Sequence, residues 1–546
     1  MIGHYLLNQN NENDQLNMKK SLLTISLVFS VALLYSFKSV QGLIIKNGWI
    51  TYKNEVIFGN GQRTDYWGGY RECTDKPAWI VTLKKNTAIT RNDPGNIGAC
   101  KTEDLDKLTD AMLEYGYPAF QYYYGLWYDR RRDCHDEVKR NSPPVAPFYE
   151  QPWARSNIEG AWDGGKKYDL LKYNSWYFGR LKEFSGLCDK KGTILIHQYY
   201  LQHNILESPC HYVDFSWRPV NCIQPTGMPD SKPSGDLSVY NTFYDLSDST
   251  RRFIHRSYIR KCLDELADYT NVIHELSAEY TGPLSFARFW IDTIIEWQKE
   301  KGKKITISLA ACKDVQDAIL ADPIRSVEID VINLTYWWYL SDGKLNAPKG
   351  GTGVPGRYVW AKETTPFQIY RQVKEYHLMF PNKAIIHSIN ATREQTIAFL
   401  MAGGSILIRM LLYPDSQPPL NPWDPPSTYV MPEGSPIILP VYQFIRKNLK
   451  SELQNMTIKS IVLNDPEQNL CLGHSGKTYL VYALKGGNFN IDLKEESGIS
   501  FKAKWLNPKN GEIQYANGGI VTGGNTLTFN APDTNDWLLW LSSSAR

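Results

Sequence analysis

Several kinds of protein are excluded by what this sequence has little of. Sixty basic residues face 57 acidic ones, and the formal net charge of +3 is too small for the electrostatic footprint of a nucleic-acid binder. The nine cysteines are odd in number and scattered through 546 residues with no CxxC pair, which excludes a disulfide scaffold. Cys73 with Cys100, or Cys210 with Cys222, could still bridge in an oxidising compartment. No zinc-ligand spacing, P-loop or GxGxxG following a strand is present, so no metal and no cofactor is indicated. There is no internal repeat and no low-complexity linker. With 42% hydrophobic and 21% charged residues the chain has the balance of one that folds around large cores, and its length exceeds one ordinary domain.

Aromatic residues, by contrast, are plentiful: 13% of the chain, with 17 Trp and 34 Tyr. Such rings pack cores, and they also stack on the apolar faces of sugars while an indole or phenol hydrogen-bonds a hydroxyl. Carbohydrate is therefore the expected ligand class. The N-terminus carries a long apolar run. Met18-Lys19-Lys20 precedes 17 uncharged residues, Ser21 to Phe37, followed by Lys38 and the small-residue exit Val40-Gln41-Gly42. Basic, apolar and cleavage regions in that order read as a signal peptide spanning 1–42, with translation starting at Met18. An uncleaved anchor is the rival, since 17 residues is the short limit for a spanning helix. The protein is expected outside the cytoplasm, secreted or periplasmic, with no stable membrane insertion once the signal is removed.

Residues 43–60 read as a small β cap of two or three strands, with Asn47-Gly48 a hairpin turn. From 61 to 454 strand-like apolar runs alternate with helical periods. Helices are predicted over 103–115, 175–190, 249–268, 284–300, 314–321, 366–379, 393–402 and about 436–453, with one early strand within 60–91 and seven strands between them. Eight strands and as many helices make a (β/α)8 TIM barrel. From 455 to 546 the helical period gives way to short runs such as KTYLVYAL and DWLLWL between Gly and Asn turns, which predicts a β-sandwich docked on the barrel.

In such a barrel function sits at the carboxyl ends of the strands. The fourth strand, NVIHELSAEY at 271–280, places Glu275, Ser277 and Glu279 on one face by alternation, with Glu279 at the mouth. Glu275 is expected to pair inside the barrel. A carboxyl at Glu279 is placed to act, with a salt-bridged structural role as the alternative.

The run NVIHELSAEY resembles the fourth-strand signature of clan A glycoside hydrolases, whose last Glu is the general acid/base. Ala278 stands where that signature has Asn. The tail, with YLVYALKGGNFNIDL, WLNPKNGE and TFNAPDTNDWLLWL, is similar to the collagen-binding-like sandwich attached to apiosidase-like barrels. The resemblance implies an accessory module there, without implying collagen as its ligand. It also implies a nucleophilic Glu at the end of strand seven, and here that strand reads AIIHSIN with its next carboxylate, Glu394, inside a helix.

Glycoside hydrolysis needs two carboxyl groups. Candidates for the second are Asp129, in the loop YYYGLWYDRRRD after strand two, and Glu207, in HQYYLQHNILE after strand three. Neighbouring arginines would keep Asp129 ionised, as a nucleophile or base requires; an Arg/Asp network fixing the loop is the alternative. Expected sugar contacts are Tyr124, Trp127, Arg130, His197, His203, Asn204, Tyr336, Trp337, Trp338 and His387. His197 and His203 are six apart with no third ligand evident, which argues against metal. The sequence thus predicts an exported glycoside hydrolase acting on a plant or algal oligosaccharide or polysaccharide. Its rival is a non-catalytic carbohydrate-binding or surface-adhesion protein on a degenerate barrel.

Overall fold

A computed structural model of the chain describes residues 42–63, 105–114, 116–122, 151–162, 165–206, 212–213, 215–233, 235–353, 363–389, 391–409 and 438–543. Eight parallel strands close into a barrel: β1 (Gly59–Arg63), β2 (Ala119–Tyr122), β3 (Ile194–Leu201), β4 (Val272–Ala278), β5 (Thr306–Ala310), β6 (Val331–Asn333), β7 (Ala384–Ser388) and β8 (Ile406–Arg409). They neighbour one another in chain order, and β8 pairs with β1 to close the ring. Around it the longer helices are α1 (Leu105–Glu114), α2 (Ser175–Lys191), α3 (Ser249–Leu266), α4 (Leu284–Lys301), α5 (Lys313–Leu320), α6 (Pro366–Met379), α7 (Arg393–Met401) and α8 (Leu439–Asn448), with two shorter ones at His203–Leu206 and Ser238–Tyr244. The predicted TIM barrel is the observed one, and its helices start and stop close to where the periodicity placed them.

Their ends are set by local chemistry. Asp248 caps α3 by accepting from the Arg251 amide, and Thr365 caps α6 with Pro366 at its first position. Thr392 and Gln395 form a reciprocal capping box on α7. α4 stops at Gly302, whose φ of 62° satisfies the left-handed C-terminal position. Among the described residues no helix is long and apolar enough to cross a membrane.

Below the barrel sits the cap, three antiparallel strands at Ile44–Lys46, Trp49–Tyr52 and Glu55–Ile57. Both of its turns have two residues at positive φ, Asn47-Gly48 and Lys53-Asn54, the geometry that follows the twist of a tight hairpin. Ile50, Tyr52 and Ile57 pack on Ala119, Ile194, Ile196, Ile273, Val331, Ala384, Ile386, Ile406 and Ile408, closing the amino end of the barrel with an apolar plug. The cap is also tied to the far end of the barrel's sequence: Asn47 Nδ2 donates to the Gln454 carbonyl, and Glu55 pairs with Arg446 and Lys450.

The C-terminal part is a six-stranded antiparallel sheet faced by a two-stranded ribbon, Asn488–Asp492 with Thr526–Asn530. Alternation explains its unbroken apolar runs. Tyr479, Val481, Leu539, Leu541, Phe501 and Trp505 meet Phe489, Ile491 and Phe529 of the ribbon. Leu480, Tyr482 and Leu538 point the other way and join the main core of the barrel. An ion pair reinforces that junction, Arg393 Nη2 to Asp536 Oδ1 at 2.7 Å, and the Tyr482 hydroxyl donates to Asp536 Oδ2 at 2.8 Å.

Two features depart from the sequence reading. An antiparallel pair, Trp153–Glu159 with Lys166–Tyr173, lies between β2 and α2, where no strand was expected. The run VEIDVINLTYWW contributes only Val331–Asn333 to the sheet, with a 3-10 turn at Ser326–Glu328 before it. The five described cysteines, Cys188, Cys222, Cys262, Cys312 and Cys471, are buried free thiols, and Cys73, Cys100 and Cys210 lie outside the described residues.

Candidate active site

The middle of the barrel is polar, and Glu275 is its centre. Gln198, Glu275 and Ser308 lie side by side in register across β3, β4 and β5. Gln121 and Gln198 donate to Glu275 Oε1 at 3.3 and 2.7 Å; Ser308 and Asn333 donate to Oε2 at 2.6 and 2.9 Å. Burial pushes this carboxyl above the usual range while the four donors pull it back. The expected interior role of Glu275 is what these contacts describe.

These contacts also fix which way each strand faces. Gln198 points inward, so His197 points outward, where its ring meets Tyr199 edge-on beside His274. Asn333 and Ser388 point inward, so Ile385 and His387 point to the helices. Both histidines are wholly buried there, and burial pushes His387 down to about 3. They cannot touch a ligand at the mouth, a correction to the expectation that either binds sugar. Trp337 is likewise turned into the helical layer, its indole donating to Gln316 Oε1 at 3.0 Å and its ring 5.1 Å from that of Tyr376. Tyr336 and Trp338, on either side of it, are buried after β6. Asn204 is buried in the one-turn helix His203–Leu206 after β3. The side chain of His203, and all of Asp129, Glu207, Tyr124, Trp127 and Arg130, lie outside the described residues.

Glu279 follows the last residue of β4 directly and is half-buried. The alternation predicted to carry it inward stops at Ala278, because Glu279 has a φ of 58°, in the left-handed region that a side chain disfavours by about 1–2 kcal/mol. Such strain persists only where surrounding contacts impose it, and it concentrates at functional sites. The contacts here are specific. Gln202, one residue beyond β3, donates through Nε2 to Thr281 Oγ1 at 2.7 Å, while its Oε1 accepts from the Thr281 amide at 3.1 Å. Tyr244 donates to the same Oε1 at 3.0 Å, and Tyr240 donates to the Thr281 carbonyl at 3.1 Å. Tyr280 closes the turn by donating to the Pro283 carbonyl at 2.7 Å. Sequence reasoning missed Gln202, Tyr240, Tyr244 and Thr281.

At the carboxyl end of β7 the described residues are Ser388 and Ile389. Glu394 lies in the first turn of α7, 2.8 Å from Arg393. Among the described residues no group of three or more His, Cys, Asp and Glu could hold a metal ion.

No curated protein matches the sequence. The solved structure of a glycoside hydrolase family 5 protein from Bacteroides vulgatus ATCC 8482 is similar over 92% of this chain and 94% of that one, at 12% identity and a TM-score of 0.53. A second structure, described as a glycoside hydrolase, is similar over 92% and 97% of the two chains, at 12% identity and a TM-score of 0.52. At such identities the likeness is one of fold. Residues 459–542 match the family model "Putative collagen-binding domain of a collagenase". Residues 2–412 match the model "Domain of unknown function (DUF6298)", and that match spans most of the chain, which therefore belongs to the DUF6298 family.

Proposed function

We propose that this protein is a glycoside hydrolase in which Glu279 serves as general acid/base. The observation that carries this reading is a half-buried carboxyl at the mouth end of β4, held in a strained backbone conformation by a network of buried hydrogen bonds. The fold shared with the two glycoside hydrolase structures supports it, as does the resemblance of NVIHELSAEY to the clan A signature. Glu275 is a poor second carboxylate. It lies four residues deeper, about 13 Å along the strand at ~3.3 Å per residue, and carboxyl pairs in glycosidases stand roughly 5–10 Å apart. Asp129 and Glu207 remain the proposed partners, with Asp129 first.

The substrate class we assign, a plant or algal polysaccharide fragment, rests on the apiosidase-like resemblance and on the aromatic content of the chain. Export is part of the proposal: the secreted protein should begin near Leu43 on N-terminal sequencing, and an intact Met1 end would contradict it.

The test of function is Glu279→Gln assayed on a panel of plant and algal oligosaccharides. Turnover should fall at least a thousandfold, within the usual range for losing a general acid/base and its charge, with the melting temperature preserved. Activity within tenfold of wild type would remove Glu279 from the mechanism. One observation favours a carbohydrate-binding protein instead, the absence of a carboxylate from Ser388 and Ile389 where a clan A nucleophile would stand. Binding without product on every oligosaccharide of the panel would establish that reading.

A further inference from the structure

We propose that Gln202 is the positioning residue of the site, a clamp that grips the chain on both sides of Glu279 and sets its carboxyl. This deepens, and rests on, the assignment of Glu279 as acid/base. The Gln202 amide donates to the Ala278 carbonyl at 3.2 Å, just before Glu279. Its side chain takes the Thr281 amide and hydroxyl, two residues after Glu279. One side chain and its own backbone thus bracket Glu279 and Tyr280. Gln202 is 1% exposed, and Tyr244 donates to its Oε1 from the helix Ser238–Tyr244. From the other side the Thr281 carbonyl accepts from Gly351 N at 2.9 Å and from Tyr240.

A glutamine suits this task because it offers a donor and an acceptor on one planar group, and Thr281 presents the complementary pair. The geometry explains how a non-glycine residue stays at a φ of 58°: the bonds on either side of it fix both ends of the turn. Around the clamp Tyr240, Tyr244, Tyr280 and Cys312 are all raised by burial, Tyr240 and Cys312 to about 12, so none of them adds charge near neutral pH.

Two variants and one cycle test the clamp. Gln202→Met keeps length and volume and removes the side-chain bonds; kcat should fall on the order of a hundredfold, the cost of displacing a reacting group by about 1 Å, with KM changed far less. Gln202→Glu keeps the Oε1 acceptor for the Thr281 amide and exchanges the Nε2 donor for a second acceptor, to which the Thr281 hydroxyl can turn and donate. It also puts a carboxylate against the turn that carries Glu279. Turnover should remain measurable while the alkaline limb of the kcat profile moves to higher pH, as a neighbouring negative charge holds the Glu279 proton. A purely structural glutamine would lower stability in Gln202→Met while leaving kcat within tenfold of wild type, and an unmoved limb in Gln202→Glu would place Gln202 too far from Glu279 to set its carboxyl.

The cycle needs no substrate. In the otherwise wild-type protein Glu279→Gly should melt above Glu279→Ala, because glycine takes a positive φ freely. In the Gln202→Met background that advantage should vanish. An undiminished glycine advantage, or wild-type kcat in Gln202→Met while Glu279→Gln is dead, overturns the clamp and leaves the glycosidase reading intact. An active Glu279→Gln overturns the glycosidase reading, and the cycle still decides whether Gln202 sets the turn. Should Gln202→Met fail to fold, Gln202→Asn, whose amide is one methylene short of Thr281, takes its place in both measurements.

Discussion

Asp330, at the foot of β6, shows how a single carboxyl can write itself into the stability of the barrel. Its Oδ2 accepts from the Ile307 amide at 2.9 Å, and burial raises it from 3.8 to about 6. The folded state therefore holds this proton more tightly than the unfolded chain does, and stability falls as pH rises from 3.8 to about 6, then levels. At about 1.4 kcal/mol per pH unit the loss is on the order of 3 kcal/mol. Asp330→Asn keeps an acceptor for Ile307 and should remove that part of the slope in chemical denaturation followed from pH 3.5 to 7; an unchanged slope would place the titration elsewhere. Glu275 poses a different case. Four neutral donors surround its oxygens, so Glu275→Gln turns an amide group toward groups that are themselves donors. The expected loss is about 1–3 kcal/mol per misplaced donor, measurable by denaturant unfolding.

Among the elements, α7 links the barrel to its appendage. Thr392→Ala removes half of the capping box and should cost about 1 kcal/mol. Arg393→Ala should cost more, about 2–3 kcal/mol, because Asp536 is left buried with the Tyr482 hydroxyl and no cation. Equal effects in thermal or denaturant melts would mean the ion pair is screened by water. Elements like this one were legible in the sequence because their periodicity and caps are local. Strand β6 was legible as a strand but its end was not: the tyrosine and tryptophans that follow it, Tyr336 to Trp338, are apolar for packing against helices, and Trp337 spends its indole on Gln316 and takes no part in the ladder. The hairpin Trp153–Glu159 with Lys166–Tyr173 is exposed toward its turn and lacks a clear alternating signal. The place of Glu279 at the end of β4 was readable from the run NVIHELSAEY, whereas His197 and His387 were misread because a strand's facing is set by its partners, and an error of one position reverses it. Gln202 was invisible for another reason: its partner Thr281 lies 79 residues away.

At the scale of the whole molecule the C-terminal sheet is covered on both faces, by its own ribbon and by the barrel. The tail is therefore structural to the barrel as well as attached to it. A 43–454 fragment should uncover Phe444, which packs edge-on against Trp540 at 5.2 Å, together with the helical surface around it. It is expected to aggregate or melt well below the full chain; a fragment that stays monomeric and equally stable would show the two parts to be independent.

The cap has a consequence in time. It comes early in the chain, yet the partners of Asn47, Trp49 and Glu55 lie 391 to 407 residues downstream. No ribosome can deliver those partners until the barrel is nearly complete, so the bonds that fix the plug in its floor form late, whatever it packs on before them. Contacts of such long sequence separation slow folding, and loosening them should speed unfolding more than it slows refolding. Trp49→Phe, which deletes the indole bond to the Met456 carbonyl, is the variant whose refolding and unfolding rates would read that clock.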